Sequence, residues 1–192
     1  MTEYNAQLTA ATIKKAKSLA AGNTRGGKAI LWSSNRGVAP LRAQLIQYNL
    51  KQIGLDAEIK LLPRAQQFTN AGNPKTAEYD MTIENWGADY ADPYDFINIL
   101  LDGAQVGNAQ HNNYAYYNSA KFNKQMAAAA LLVGDKRGTA YALLDGNMMR
   151  EDPPWAPLTN QNDRVFMSSR VGCIVINEAH GSGPLLNTIC IK

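Results

Sequence analysis

The sequence has few of the residues from which catalytic and metal sites are usually built. Only two histidines and two cysteines occur among its 192 residues. The histidines, His111 and His180, stand in predicted loops without neighbouring residues at metal-ligand spacing. The Walker, G-x-G-x-x-G and G-x-S-x-G patterns are also missing. These absences argue against nucleotide-dependent and serine-hydrolase chemistry, and they predict no catalytic residue, no metal site and no cofactor.

Long apolar runs and a targeting signal are missing as well. No segment approaches the roughly 20 consecutive apolar residues of a membrane helix. The first residues, Met1 to Gln7, have neither the basic nor the apolar region of a signal peptide. Taken alone, this end predicts a cytoplasmic protein. That interpretation fails if the chain is excised from a longer one.

Positive charge is scattered along the chain. The formal net charge is only +3, and the single basic cluster is Lys14, Lys15 and Lys17. At that spacing on a helix, lysines are more often a solvated face than a phosphate-binding surface. Nucleic acid is therefore not an expected partner. With 45% hydrophobic and 18% charged residues, the composition is that of an ordinary globular domain.

The two cysteines, Cys173 and Cys190, both lie in the last 20 residues and outside any metal-type spacing. A disulfide between them would stabilise the fold by about 3 kcal/mol through loop closure. Two unrelated, buried free thiols are the alternative. The sequence leaves both open.

Apolar periodicity predicts an α/β fold with a small mixed sheet flanked by helices. The first half is predicted to form a helix at Thr12–Ala21, a strand at Lys28–Ser34, a helix at Val38–Ile53, a strand at Leu55–Leu61, helix or loop at Phe68–Glu78 and a strand at Tyr79–Trp86. The second half is predicted to form helices at Phe96–Leu101, Lys121–Val133 and Lys136–Glu151, then a strand at Trp155–Thr159. A strand, a helix and a strand with short joins indicate parallel strands with a right-handed crossover.

The helix at 38–53 carries a predicted apolar stripe and a predicted end. The stripe consists of Leu41, Leu45, Ile46, Leu50 and Ile53. Gly54 follows where a left-handed helix cap is favoured. The strand after it alternates apolar and charged residues, which predicts one wet face.

The densest polar cluster runs from Glu84 to Asp95, after a predicted strand. It places four carboxylates among three aromatic rings in twelve residues. Ligands of α/β sheets collect outside the carboxyl ends of the strands, so this is the candidate site. Paired carboxylates could serve glycoside hydrolysis, although sequence proximity does not set their separation.

The cluster has two further interpretations, a calcium site and a purely structural role. The three-residue spacing of Asp89, Asp92 and Asp95 does not match an EF-hand calcium loop. The structural interpretation is that Asp89 and Asp92 cap turns while Trp86 and Tyr90 pack in the core.

Three segments resemble extracellular solute-binding proteins of the dipeptide, oligopeptide and nickel type, known as family 5. One is the Tyr79-Asp80-Met81 strand with the motif Trp86-x-x-Asp89-Tyr90-x-Asp92-Pro93-x-x-Phe96. The second is the helix–strand pair from Leu45 to Ile59, and the third runs from Glu151 to Leu158. Their order and spacing match the family over most of residues 12–170, and they resemble its C-terminal lobe.

The resemblance implies a two-lobe, periplasmic-binding-protein-like fold in a parent protein longer than this chain. Residues 1–160 would form the ligand-binding lobe, and residues 161–192 would return toward the missing first lobe. The parent would be extracytoplasmic, in the periplasm or at the cell surface as a lipoprotein. Its membrane tether and signal sequence would lie in the missing N-terminal part. Its partners would be a peptide ligand and the permease subunits of an ABC importer.

In peptide-binding members, the aspartate of the Trp-x-x-Asp motif pairs with the N-terminal ammonium of the ligand, and Asp89 holds that position here. The resemblance implies a ligand-binding segment of Trp86, Gly87, Ala88, Asp89 and Tyr90, with the two rings on the pocket wall. Nickel- and oligosaccharide-binding relatives share the scaffold, so those ligands stay open. A hydrolase acting through its carboxylates is the alternative from another functional class.

Overall fold

A computed structural model describes residues 3–24, 26–160, 164–176 and 184–192. Arg25, in a predicted turn, and His180, in a predicted loop, lie outside these ranges. The chain divides into two compact units, Met1–Glu84 and Asn85–Lys192. The predicted division at residue 160 stays a prediction. No helix among the described residues combines the length and hydropathy needed to cross a bilayer.

In its described residues, the first unit has three helices and three strands in alternating order. They are α1 (Glu3–Ala20), β1 (Lys28–Ser34), α2 (Ala39–Gln52), β2 (Asp56–Leu62), α3 (Arg64–Ala71) and β3 (Met81–Thr82). The strands form one sheet in the order β2-β1-β3. Both pairs are parallel, with Lys28 opposite Asp56 and Leu31 opposite Met81. The predicted strand–helix–strand unit and the α/β class are confirmed.

The core of the first unit lies between α2 and the sheet. Leu31, Ala43 and Ala57 are buried there, and Ile46 and Leu50 pack against them. Burial of such side chains is the main force that holds a helix on a sheet. Gly54 follows α2 at φ +88°, the left-handed conformation that the sequence predicts.

The predicted stripe of α2 is wrong in its first two members. Leu41 and Leu45 are 66% and 61% exposed. The contact face runs instead through Ala43, Ile46 and Leu50, which share one side of the helix at three- and four-residue spacing. Ala43 is 0% exposed on this face, and the two leucines lie on the side of the helix that faces away from the cluster.

The second unit is mainly helical. Its elements are α4 (Tyr94–Leu101), a 3-10 turn (Gly103–Gln105), α5 (Ala120–Ala130), α6 (Gly134–Glu151), β4 (Val171–Gly172), a 3-10 turn (Leu186–Thr188) and β5 (Cys190–Ile191). The core is formed by Ile97, Leu100, Leu101, Tyr117, Phe122, Met126, Ala129, Tyr141, Leu144 and Met148. Six of these ten residues lie on α5 and α6.

The predicted strand at Trp155–Thr159 is wrong, because these residues form no regular element. Pro153, Pro154 and Pro157 lack the backbone N–H that a ladder requires, so the segment is a poor donor. Trp155 lies at the surface, 36% exposed.

The C-terminal cysteines are paired. Cys173 and Cys190 form a disulfide with their Cα atoms 5.3 Å apart. The bond lies beside the antiparallel pair of β4 and β5, in which Gly172 stands opposite Cys190. Of the two possibilities that the sequence leaves open, the structure therefore has the disulfide.

Candidate functional site

Asp95 organises the loop that contains the candidate ligand residues. It is the second residue of α4, and its side chain is 1% exposed. Its Oδ2 accepts a hydrogen bond from the backbone N–H of Asp89 at 2.9 Å and another from Nε1 of Trp86 at 3.2 Å. A carboxylate in the first turn of a helix is also stabilised by the helix dipole. The loop is thus folded back onto the start of α4.

Asp89 combines a fixed backbone with a free carboxylate. Its N–H is held by Asp95, whereas the residue itself is exposed. Among the described residues, none forms a hydrogen bond or an ion pair with the Asp89 carboxylate. A negative charge is therefore presented to solvent from an ordered loop. The structural interpretation, in which the Asp89 side chain caps a turn, does not describe this arrangement.

Trp86 is partly a core residue. It is half-buried and packs against the core of the second unit, and its indole N–H donates a hydrogen bond to Asp95. Tyr90 is 43% exposed. Gly87 is exposed and Ala88 is half-buried. The structure thus places the five predicted residues on one short loop, and their ligand roles stay predictions.

Asp92 anchors the same loop to α6. Both of its oxygens accept hydrogen bonds from Arg137, each at 2.8 Å, and Oδ1 also accepts from the backbone N–H of Tyr94 at 2.8 Å. The bidentate geometry suits the planar guanidinium group. Nη1 of Arg137 donates in addition to the carbonyl oxygens of three residues at the end of α5, namely Ala129, Ala130 and Leu132. One side chain therefore ties together the loop, α5 and α6.

The ion pair of Asp92 and Arg137 predicts how the stability of the fold changes at acid pH. Hydrogen bonds from Arg137 hold the pKa of Asp92 below its usual value of 3.8, against an opposing effect of burial. A carboxyl group whose pKa is lowered by folding stabilises the fold at pH values above its pKa in the unfolded state. This contribution is lost as the pH falls through its pKa in the folded state. We expect Asp92→Asn to reduce the loss of stability between about pH 4 and pH 2, measured by urea unfolding at successive pH values. The exposed Asp135, replaced by Asn, is the control and should retain the wild-type profile.

Glu84 ends the first unit and has different surroundings. Its Oε1 accepts hydrogen bonds from Nε2 of Gln67 and from Oγ1 of Thr82, each at 2.9 Å. Gln67 lies on α3 and is 2% exposed. Burial raises the pKa of Glu84 to about 7, although the two hydrogen bonds and the charge of Arg64 act in the opposite direction. This carboxyl is therefore near half-protonation at neutral pH.

The side chain of His111 is buried and does not face solvent. It is 5% exposed, and neither ring nitrogen has a hydrogen-bond partner in the part of the chain that the structure describes. Burial lowers its pKa, so the ring is neutral at pH 7. Among the described residues, no group of three or more His, Cys, Asp or Glu side chains is placed to hold a metal ion.

Sequence reasoning missed the roles of Asp95, Gln67 and Arg137. Asp95 is in the acidic cluster, and its position directly before the predicted helix at Phe96–Leu101 is the one local signal. Gln67 and Arg137 lie outside the cluster, 17 residues before Glu84 and 45 residues after Asp92. Nothing local to the cluster points to either of them.

Comparison with known proteins adds a family match. Residues 2–108, more than half of the chain, match the family described as bacterial extracellular solute-binding proteins, family 5 Middle. A probable D,D-dipeptide-binding periplasmic protein of Escherichia coli (strain K12) is 24% identical over 131 residues. This alignment covers 68% of the chain and 24% of that protein.

Solved structures show the same fold. A clavulanic acid biosynthesis oligopeptide binding protein matches with a TM-score of 0.78 and 22% identity, over 92% of this chain and 32% of that one. A periplasmic binding protein of Helicobacter pylori, in complex with the peptide STSA, matches with a TM-score of 0.65 and 26% identity, over 76% and 28%. The chain thus spans about a quarter to a third of these relatives.

Proposed function

Since this chain belongs to the bacterial extracellular solute-binding proteins of family 5, we propose that it forms one ligand-binding lobe of a longer peptide-binding protein that serves an ABC importer. The relatives support this proposal, because they are described as proteins that bind D,D-dipeptides, oligopeptides and the peptide STSA. All three are named as binding proteins and not as enzymes.

The observation that carries the proposal is the free, positioned carboxylate of Asp89. A peptide in this importer class brings a positively charged N-terminal ammonium group. That group can donate charge-assisted hydrogen bonds to Asp89, which are about twice as strong as neutral ones. Because the backbone N–H of Asp89 is held by buried Asp95, the backbone of the loop loses little freedom when the carboxylate binds.

The rest of the loop supports the ammonium contact. Trp86 and Tyr90 supply ring faces for the wall of the pocket, and Gly87 and Ala88 let the ligand backbone approach. The peptide would be gripped through its main chain, as an added strand, which gives affinity that does not depend on side chains. The lobe from outside this chain would close over the ligand by hinge motion and exclude water.

Two carboxylates of the cluster, those of Asp92 and Asp95, do not favour the hydrolase alternative. Asp92 is committed to Arg137, and Asp95 is buried beneath the loop. A glycosidase needs two carboxyl groups that both face the sugar.

For the parent protein we propose permease subunits as partners and a location outside the cytoplasm. Its lipoprotein anchor would lie in the part of the protein that is N-terminal to this chain. Residues 161–192 would return toward the missing lobe.

Asp89→Asn in the longer protein is the test of the proposal. The variant keeps the shape of the side chain and removes its charge. We expect the affinity for peptides with a free N-terminus to fall at least tenfold, about 1.4 kcal/mol. N-acetylated versions of the same peptides lack the ammonium and should bind the variant and the wild type equally. Isothermal titration calorimetry measures both.

The control is Asp135→Asn, which removes an exposed charge from the first turn of α6 and should change neither affinity. An equal loss for free and acetylated peptides would contradict the ammonium role. Binding of nickel or of oligosaccharides in place of every peptide would contradict the peptide proposal as a whole.

A further inference from the structure

We propose that the outward side of α2 docks on the surface of an anionic phospholipid bilayer. This side carries a row of exposed apolar side chains, called the α2 stripe, which consists of Val38, Leu41, Leu45 and Tyr48. The contact lies within the first unit and does not depend on the proposed peptide-binding function.

The α2 stripe is exposed over its whole length. Each of its four side chains is between 57% and 66% exposed, and the core of the unit does not include them. Spacings of three, four and three residues place them on one side of the helix. Single exposed apolar residues are ordinary, but a contiguous row of large ones marks an interaction surface.

The α2 stripe and the core face of α2 lie on opposite sides of the helix. At 100° per residue, the mean direction of the stripe is about 150° from that of Ala43, Ile46 and Leu50. Those three side chains hold α2 on the sheet. The stripe therefore lies outside this packing and is available to a partner.

Basic side chains border the α2 stripe. Arg42 and Lys51 lie on α2, one on each side of the stripe, at about 80° and 100° from its mean direction. Arg36 precedes the helix, and all three residues are exposed. Among the described residues, none of the three forms an ion pair with a carboxylate. Three positive charges thus accompany an apolar ridge.

Negative charge is sparse around α2. The helix itself contains no acidic residue. The next acidic residues along the chain, Asp56 and Glu58, alternate with buried Ala57, which packs in the core under α2. Because successive strand residues point to opposite faces, both carboxylates lie on the face of the sheet away from α2. The first unit as a whole has eleven Lys and Arg residues against six Asp and Glu residues, so it suits an anionic partner.

An anionic bilayer fits this surface better than a protein does. An apolar ridge with basic borders is the pattern of helices that lie in the interface of a membrane, and tyrosine is enriched at that depth. A second copy of the chain, packed through the same stripe, would place basic borders against basic borders and be repelled. A different protein would need a groove for the ridge. A fluid bilayer offers anionic head groups beside the acyl region and needs no fixed shape.

The experiment measures binding of the longer protein to phospholipid vesicles by co-sedimentation. The protein is expressed without a signal sequence, so that it carries no lipid anchor. At about 0.1 M salt, vesicles of phosphatidylglycerol and phosphatidylcholine in equal parts should bind it at least tenfold more tightly than vesicles of phosphatidylcholine alone. Salt at about 0.5 M should remove most of this preference, because it screens the charges.

Two variants separate the apolar contribution from the basic one. Leu41→Gln should weaken binding to the anionic vesicles about fivefold, because a polar side chain then enters the acyl boundary. Arg42→Gln should also weaken it about fivefold, by removal of one charge near the head groups. Both residues are exposed, so thermal unfolding should match that of the wild type.

Each variant has a matched control in the same unit. Leu19 is 66% exposed, as is Leu41, but it lies on α1, and Leu19→Gln should leave vesicle binding within twofold of the wild type. Lys75 is an exposed lysine outside the helices, and Lys75→Gln should do the same. Peptide affinity should be equal in all four variants, so failure of the membrane contact would leave the proposed function standing.

Three results would overturn the inference. Equal binding by Leu41→Gln and the wild type would reduce the attraction to the general positive charge of the unit. Failure of the longer protein to bind either kind of vesicle would mean that another part of that protein covers the α2 stripe. An oligomer in light scattering that Leu41→Gln dissociates would assign the stripe to a second copy of the chain.

Discussion

Replacing Asp95 by Ala is expected to lower the free energy of unfolding by about 3 kcal/mol and to weaken peptide binding at least tenfold. The substitution leaves the N–H of Asp89 and the indole N–H of Trp86 without their acceptor. Hydrogen bonds to charged groups contribute roughly 1.5–3 kcal/mol each, and an unsatisfied partly buried donor adds to the loss. With its backbone released, Asp89 would have to be ordered when the peptide binds.

Urea unfolding of the chain and calorimetry on the longer protein measure the two effects. Asp95→Asn keeps an acceptor oxygen and should fall between the wild type and the Ala variant. Asp135→Ala removes an exposed acid from the first turn of α6 and should lose less than about 0.5 kcal/mol. Wild-type peptide affinity in Asp95→Ala would show that Asp95 does not organise the loop for binding.

Replacing Phe122 by Ala is expected to have the largest effect on stability, a loss of about 3–5 kcal/mol. Phe122 is 1% exposed at the centre of the core formed by α4, α5 and α6, and its ring lies 6.5 Å from that of Tyr117. The substitution removes buried apolar surface and leaves a cavity that the packed helices fill only in part. The midpoint of urea unfolding reports the change.

Phe166 provides the matched control, since it is the same residue type at 91% exposure in the same unit. Phe166→Ala should change the free energy of unfolding by less than about 0.5 kcal/mol. Similar losses for the two variants would mean that α5 does not hold the core through Phe122.

Much of the fold follows from local patterns. The apolar run at Ala29–Trp32 and the alternation at Leu55–Leu61 predicted the two long strands, and Gly54 predicted the end of the helix between them. The face of α2 did not follow, because two apolar stripes overlap on that helix. Leu41 and Leu45 offer more apolar surface, but Ala43, Ile46 and Leu50 form the face that packs in the core of the first unit.

The sequence located the candidate site but did not determine the surroundings of its individual carboxylates. Its motif identified Asp89 through resemblance, and the structure leaves the Asp89 carboxylate exposed and unpaired among the described residues. The individual states of the four carboxylates could not be predicted. Asp92 pairs with a residue 45 positions later, Asp95 is buried under its own loop, and Glu84 bonds to a glutamine on a preceding helix.

By itself, the amino-acid sequence determined the α/β class, the order of the main elements, the family and the short segment in which a ligand site belongs. These properties depend on apolar periodicity, turn residues and motif spacing, all of which are local along the chain. Tertiary structure alone decided which face of α2 meets the sheet, that Cys173 and Cys190 pair, and which carboxylate stays free. Those outcomes depend on groups that are distant in sequence and adjacent in space, where burial and charged neighbours set the state of each side chain.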